Sequence, residues 1–151
     1  MSSFDYRKII KLISPMIKQQ TDCTDFVLDA DMGDQPAYPF ASYSFLNLHT
    51  DVTQGVLDNE IFELGLQITA YSTDYFDAIN QSETIRKLLL NYANSLQFDN
   101  QKIYVIDVTD SSVTDDPISI QMGHKATFTI HLRVMDNFTD DIPEMDSVNF
   151  K

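Results

Sequence analysis

Strict alternation of apolar and polar side chains in two long segments is the feature that most constrains how this chain can fold. Residues 62–70 read FELGLQITA, and residues 125–134 read KATFTIHLRV. Because successive side chains of a strand point to opposite faces of a sheet, each segment predicts a strand with one buried face and one polar face. A one-residue slip would expose the apolar set, at about 1.5–3 kcal/mol for each large side chain. The register of the second segment, residues 125–134, is therefore well specified.

Three further segments have the character of strands. Residues 40–46, FASYSFL, alternate in polarity, and residues 102–108, KIYVIDV, are rich in β-branched and aromatic residues. A short extended piece is expected at 26–28. The strand that begins at Phe40 and the one that follows it predict a long antiparallel hairpin over about 40–71, with a polar loop at its tip.

Two segments have the 3.6-residue periodicity of amphipathic helices. The first begins near Ser2 and Asp5, which have the spacing of a capping box, and its apolar residues recur at helical spacing. Pro15 lies inside this pattern and lacks a backbone donor, so we predict a kink or a restart near Ser14. The second helix is predicted at about 74–96, from an apolar stripe formed by Tyr75, Ala78, Ile79, Ile85, Leu89, Tyr92 and Leu96.

The elements follow the order α-β-β-α-β-β and predict an α+β fold. Both helices would pack on one face of an antiparallel sheet of four strands or slightly more. A length of 151 residues, of which 43% are hydrophobic, suits one domain with one core, which we place at residues 1–135. An acidic loop at 107–118 and an acidic C-terminal tail at 136–151 complete the predicted organisation.

The charge of the chain is strongly acidic and unevenly distributed. The formal net charge is -13, which disfavours a protein that grips nucleic acid, because phosphate binding draws on clustered Lys and Arg. Bases nevertheless outnumber acids in the first helix, which carries Arg7, Lys8, Lys11 and Lys18. One interpretation is that Lys8 and Lys11 contact the acidic body of a neighbouring copy. The alternative is an ordinary solvated helix face.

Motifs for catalysis or ligand binding are mostly absent from the sequence. Cys23 is the only cysteine, which excludes an internal disulfide and a Cys-rich zinc site. The acidic segment 29–34 is similar to the start of a calcium loop, but its glycine is misplaced and position twelve is Phe40 instead of glutamate. With four glycines in the chain, there is no Gly-rich phosphate cradle.

The histidines also lack the spacing of metal ligands. His49, His124 and His131 are far apart in the sequence, and none has a partner at a ligand interval. A Cys/His pair brought together by folding stays an open alternative. We therefore predict no catalytic residues, no cofactor and no metal.

The chain has no sequence signal for a membrane. No stretch approaches the roughly 18 consecutive apolar residues of a membrane span. The N-terminal residues MSSFDYRKII lack the apolar core of a signal peptide. We expect synthesis in the cytoplasm and no membrane partner.

Four runs of residues resemble the neck or tail-terminator proteins of tailed bacteriophages. Residues 35–43, QPAYPFASY, are similar to the proline- and tyrosine-containing approach to the first long strand of that family. Further similarity lies in LGLQITAYSTDYFDAINQSETIRKLL (64–89), in KIYVIDV, and in the closing strand KATFTIHLRVMDNF (125–138). The resemblance covers roughly residues 1–138 and rests on the order of elements as much as on identity.

The resemblance implies a structural virion protein of the tail or neck. Such subunits form a ring, typically a hexamer, that sits on the last ring of tail-tube protein, stops tube growth and offers a surface to the head-proximal connector. The implied partners are copies of the chain itself, the tail-tube protein and the connector proteins, while DNA passes through the ring without specific binding. The family has no catalytic residues to carry over.

A ring subunit needs an interface with its neighbour and a lumen that DNA can cross. Tyr43, Phe45 and Tyr71 of the hairpin are candidate interface residues, and each of them could instead belong to the core. Asp110, Asp115 and Asp116 are candidate acids facing the lumen, where like charges repel DNA within a screening length of about 8–10 Å.

Two alternatives to a terminator ring remain at this level. A different connector adaptor or a tail-tube protein would share the small α+β body and the acidic charge, and its location in the virion would distinguish it. A small enzyme or ligand-binding domain would instead require a concave pocket with convergent polar groups.

Overall fold

A mixed β-sheet with helices packed on one face organises the protein. The computed structural model describes residues 4–28, 37–52, 60–109, 112–116 and 123–135. Over those ranges the elements are α1 Arg7–Gln20, β1 Phe26–Leu28, β2 Phe40–Asp51, β3 Ile61–Ser72, α2 Tyr75–Leu90, α3 Tyr92–Asn100, β4 Ile103–Val108, β5 Ser112–Asp116 and β6 Gly123–Met135. The predicted α+β class is confirmed. The predicted acidic tail at 136–151 lies outside the described residues.

The sheet is larger than predicted and is not purely antiparallel. Across the described residues it has six strands in the order β1-β2-β3-β6-β4, and β5 also pairs with β6. β1 is parallel to β2, and the other pairings are antiparallel. β4 pairs with residues 130–134 of β6 and β5 with residues 123–127, so β4 and β5 form one interrupted edge. The order is therefore α-β-β-β-α-α-β-β-β instead of α-β-β-α-β-β.

The sequence did not predict that β1 joins the sheet or that β5 is a strand. β1 is short, and β5 carries two acids. β1 was expected as an isolated extended piece, because three residues are too few to define a period or a partner. The prediction of an acidic loop over 107–118 is wrong for residues 112–116, which form β5. Their sequence, SVTDD, contains two acids, yet β5 pairs with β6 and continues the edge of the sheet that β4 begins. Pairing with β6 overrides the local preference of Asp for turns.

β3 and β6 form the centre of the sheet and confirm the predicted alternation. They pair antiparallel from Ile61 opposite Met135 to Ser72 opposite His124. Their buried inner-face residues are Phe62, Leu64, Leu66, Ile68, Ala70, Ala126, Phe128, Ile130, Leu132 and Val134. The helices add to the same core cluster with Ile9, Ile13, Met16, Ile17, Ile85, Leu88, Leu89 and Phe98. One continuous core therefore lies between the helices and one face of the sheet.

The long hairpin predicted at about 40–71 is confirmed by β2 and β3. Their antiparallel register shifts between Leu46 and Thr50, where Asn47 has a positive φ of 46°. Such a bulge bends its strand and changes the local twist. Gly65 faces the bulge, and a Cβ atom there would lie 3.2 Å from the carbonyl oxygen of Leu46. Glycine thus permits the close approach of the two strands at this point.

α1 is one continuous helix through Pro15, so the predicted restart near Ser14 is wrong. Pro15 has no N–H to donate to the carbonyl oxygen of Lys11. Both residues are exposed, so water can donate to that oxygen instead. The buried side holds the helix against the core. Tyr6 makes no side-chain cap, and Asp5 instead accepts a hydrogen bond from the backbone N–H of Arg7 at 3.1 Å. Ser2 of the predicted capping box lies outside the described residues.

The second predicted helix, 74–96, is two helices in the structure. Asn91 ends α2 and begins α3 with an extended ψ of 147°, and its side chain accepts a hydrogen bond from the backbone N–H of Asn94. The buried Asn94 side chain in turn donates to the carbonyl oxygen of Leu88 at 2.9 Å. Asparagine favours such a cap because its side chain replaces a helical hydrogen bond. The cap at Asn91 therefore interrupts the helical pattern that the sequence suggested was continuous.

We expect the core to depend strongly on the inner face of β6. Phe128 is 1% exposed there, so Phe128→Ala should lower the free energy of unfolding by about 3–5 kcal/mol through lost burial and a cavity. Phe76 is 69% exposed, so the matched change Phe76→Ala should cost less than about 0.5 kcal/mol. Urea denaturation of the free chain measures both values. Equal losses in the two variants would contradict this placement of the core.

Candidate functional site

The face of the sheet opposite the helices, which we call the outer face, is polar. Its described cross-strand side-chain pairs include Ser44 with Gln67, Thr69 with Thr127, Glu63 with Arg133, and Asp107 with His131. Arg133 donates to Oε2 of Glu63 from Nη2 at 2.6 Å and from Nε at 3.1 Å. Exposed ion pairs of this kind contribute about 0–1 kcal/mol to stability. The outer face is therefore mainly polar, but its part around Phe40, Ser42 and Thr69 is buried, so only its remaining positions can meet a partner.

Tyr71 lies on the outer face, as its candidate role in an interface requires. It pairs with Phe40 across the hairpin, and the two rings are stacked with centroids 4.7 Å apart and an interplanar angle of 11°. Phe40 is 1% exposed, whereas Tyr71 is half-buried. The stack holds the Tyr71 ring in a fixed orientation, with part of its surface available to a partner.

Tyr43 and Phe45 lie on the opposite, helix-facing side and pack against the core. The centroid of the Tyr43 ring lies 4.9 Å from that of Phe26, and the centroid of the Phe45 ring lies 5.6 Å from that of Tyr6. Burial raises the pKa of the Tyr43 hydroxyl. Both side chains are partly buried, so they contribute to the core, which was the alternative interpretation of their pattern. A contact with a second copy stays a prediction for their exposed portions.

The two lysines proposed for an interface lie together on α1. Lys8 and Lys11 line an open depression of about 460 Å³ together with Asp5, Leu12 and Gln101. The hydrogen bond from the backbone N–H of Arg7 is the main reason why the pKa of Asp5 is lowered. We call the surface formed by Lys8 and Lys11 the basic patch. It is a local positive region on a chain whose formal net charge is -13.

The candidate lumen acids do not share one loop. Asp115 and Asp116 belong to β5, where their backbones pair with His124 and Gly123 of β6. The expectation that loops carry them is therefore wrong for these two residues. Asp110 lies outside the described residues. Asp115 and Asp116 are thus placed at the edge of the sheet opposite β1.

Several large apolar side chains that the sequence analysis had not assigned to a surface are exposed. The predicted core stripe of the second helix is wrong for Tyr75, Tyr92 and Leu96, which are 43%, 79% and 46% exposed. The exposed set also includes Leu28, Leu46, Leu48, Val52, Phe76, Leu90, Tyr104 and Ile106. Clusters of exposed apolar side chains are typical of protein interaction surfaces. The sequence shows these apolar residues at helical spacing, but that spacing alone cannot say which turns of the helix pack against the rest of the protein and which stay exposed.

The chemistry available at Cys23 differs from that of a catalytic nucleophile. The side chain is 4% exposed, and Sγ lies 3.8 Å from Oε1 of Gln81. Burial raises the pKa of the Cys23 thiol, which disfavours the reactive thiolate. The calcium-like segment 29–34 lies outside the described residues.

Comparison with known proteins identifies the family of the chain. The helices of the described ranges all fall short of the length and apolar character needed to cross a membrane. A search of curated proteins gives no match to the chain. A family model described as phage neck terminator protein matches residues 7–151, and this confirms the resemblance found in the sequence. The chain belongs to the phage neck terminator family.

Proposed function

We propose that the protein forms a hexameric ring at the head-proximal end of the phage tail. This ring would cap the tail tube, join it to the head-proximal connector and let DNA pass through its lumen. The family match over residues 7–151 carries the proposal and favours the neck over a tail-tube position. The subunit would act by assembly, without catalysis or a cofactor, after synthesis in the host cytoplasm.

A ring requires two different surfaces on each subunit. Repeated heterologous contacts close into a ring when the rotation between neighbours suits. The basic patch on α1 supplies one surface, since it is positive on an acidic chain and would meet an acidic region of the next copy. Opposite charges would orient copies whose net charges of -13 otherwise repel one another.

The outer face near Tyr71 would supply part of the second surface. Farther along the hairpin, the distal part of β2 adds exposed apolar side chains, with Leu46 38% and Leu48 53% exposed. A stable contact buries about 1,200–2,000 Å² in total and combines an apolar centre with a polar rim. The exposed portions of Tyr43 and Phe45 would extend this surface at the other side of the hairpin.

The lumen would be lined by acids that keep DNA from adhering. We assign this role to Asp110, Asp115 and Asp116, of which the last two occupy the β5 edge. Repulsion between these carboxylates and the phosphates would act within about 8–10 Å at physiological ionic strength. The same repulsion would not select a DNA sequence, because it involves the backbone alone.

Phage particles that lack this protein test the proposed function directly. Removal of a terminator should leave tails of uncontrolled length, or heads without joined tails, because nothing stops tube growth or offers a surface to the connector. Negative-stain electron microscopy of lysates from a deletion phage measures both outcomes. Particles of normal morphology would contradict the proposal.

The contact made by the basic patch should respond to charge reversal. Lys11→Glu should weaken association between copies by roughly tenfold, or about 1.4 kcal/mol, because attraction becomes repulsion at each contact. Lys87 is also exposed, at the end of α2, so Lys87→Glu is a control with the same change in charge. Sedimentation velocity at low and high ionic strength measures the assembled fraction. An equal loss in both variants would remove the basic patch from the interface.

Acids in the lumen should affect the rate of DNA ejection. The double change Asp115→Lys and Asp116→Lys should slow ejection, since positive side chains would bind passing phosphates, and high salt should reduce the delay. The control is the double change Asp22→Lys and Asp99→Lys at two exposed positions. Light scattering or dye fluorescence of virions triggered in vitro follows the release. Unchanged ejection in the first variant would exclude the proposed lining.

A further inference from the structure

Three side chains with metal-binding atoms meet at the distal end of the hairpin. His49 and Asp51 are two residues apart on β2, and Glu60 immediately precedes β3. Nε2 of His49 lies 2.9 Å from Oδ1 of Asp51 and 3.2 Å from Oε2 of Glu60. The three donor atoms all lie within 4.8 Å of one another. We propose that His49, Asp51 and Glu60 bind a divalent transition-metal ion, with Zn²⁺ as the ion that fits best.

The spacing of these atoms matches that of neighbouring ligands around one ion. Bonds of about 2.1 Å place adjacent donors about 3.0 Å apart at right angles and about 3.4 Å apart in a tetrahedron. The separations of 2.9 Å and 3.2 Å from Nε2 are close to these values. An ion can therefore enter with small side-chain movements.

The imidazole of His49 is already fixed in position. Its ring stacks on that of Phe62, with centroids 4.1 Å apart and an interplanar angle of 15°, and Phe62 is 1% exposed. Asp51 pairs with Phe62 across the hairpin, so these groups share one face of the sheet. The bulge between Leu46 and Thr50 sets the strand geometry from which His49 projects. A ligand held in this way loses little rotamer entropy when it binds a metal.

Two carboxylate groups compete for one ring nitrogen in this cluster. Nε2 carries at most one hydrogen, yet two carboxylate oxygens lie within hydrogen-bond distance of it. A divalent ion interacts with all three donors at once and neutralises both acids. The Glu60 side chain is 13% exposed and that of Asp51 is 72% exposed, so the site has one covered side and one side open to water.

The ligand set indicates which class of ion would bind. One imidazole nitrogen and two carboxylate oxygens suit Zn²⁺, with Mn²⁺ and Fe²⁺ as weaker or less available competitors. Water would occupy the remaining positions on the exposed side. The ion would tie the end of β2 to the start of β3 and stabilise the distal end of the hairpin. This inference stands apart from the proposed ring, since it concerns a single chain.

Zinc binding to the full-length chain tests the site. Titration calorimetry should give one saturable site, and His49→Gln or Glu60→Gln should weaken it at least about tenfold, because even loss of an outer-sphere partner costs about 10- to 100-fold. His131→Gln is the matched control. His131 pairs with Asp107 on the outer face and belongs to no three-ligand group within the described ranges. Circular dichroism checks that each variant folds.

A second readout separates this site from zinc held elsewhere on an acidic surface. Added Zn²⁺ should raise the melting temperature of the wild-type chain and of His131→Gln equally, and should raise that of Glu60→Gln by clearly less at the same Zn²⁺ concentration. Cobalt substituted for zinc should give visible absorption bands that change with His49→Gln. Absence of saturable Zn²⁺ binding, or binding that the His49 and Glu60 variants retain in full, would overturn the proposal.

Discussion

The antiparallel pairing of β3 with β6 is the interaction on which the rest of the structure depends. Its register, from Ile61 opposite Met135 to Ser72 opposite His124, places ten alternating side chains on one buried face. The helices can cover the sheet because that face is continuous and apolar. A shift of one residue would exchange the two faces and leave the helices without a core to bury.

The same pairing decides what the other face can do. Most of the residues that alternate with the core set are polar, and Thr69 with Thr127 and Glu63 with Arg133 pair across the two strands. The exposed polar groups of such a face can offer directional contacts to a neighbour. Exposed apolar groups are concentrated on α2, α3, β4 and the distal part of β2 instead. This distribution fits a protein that works by contacting other proteins, and it agrees with membership of the phage neck terminator family.

The sequence predicts a helix or strand well where burial of one face imposes a regular spacing of apolar residues over many positions. The inner faces of β3 and β6, the hairpin and the first helix follow directly from apolar spacing. Prediction fails where tertiary contacts decide. β5 forms because β6 offers it an edge, although its acids favour a loop, and Asn91 breaks the second helix through its own cap and through the hydrogen bonds of Asn94.

The candidate sites divide in the same way. Lys8, Lys11 and Tyr71 lie on surfaces, while Tyr43 and Phe45 are partly in the core, because alternation gives a face and cannot say which side the helices cover. Glu60 is 11 residues from His49, so no spacing rule joins them, and the hairpin alone brings the two together.

Assembly at the neck is the central claim, and the most direct measurement is a cryo-electron microscopy reconstruction of the virion at that position. We predict a single ring of this protein between the tail tube and the connector, with the basic patch of each copy against an acidic region of the next. Stacked rings along the tail, or a neck without this protein, would contradict that account.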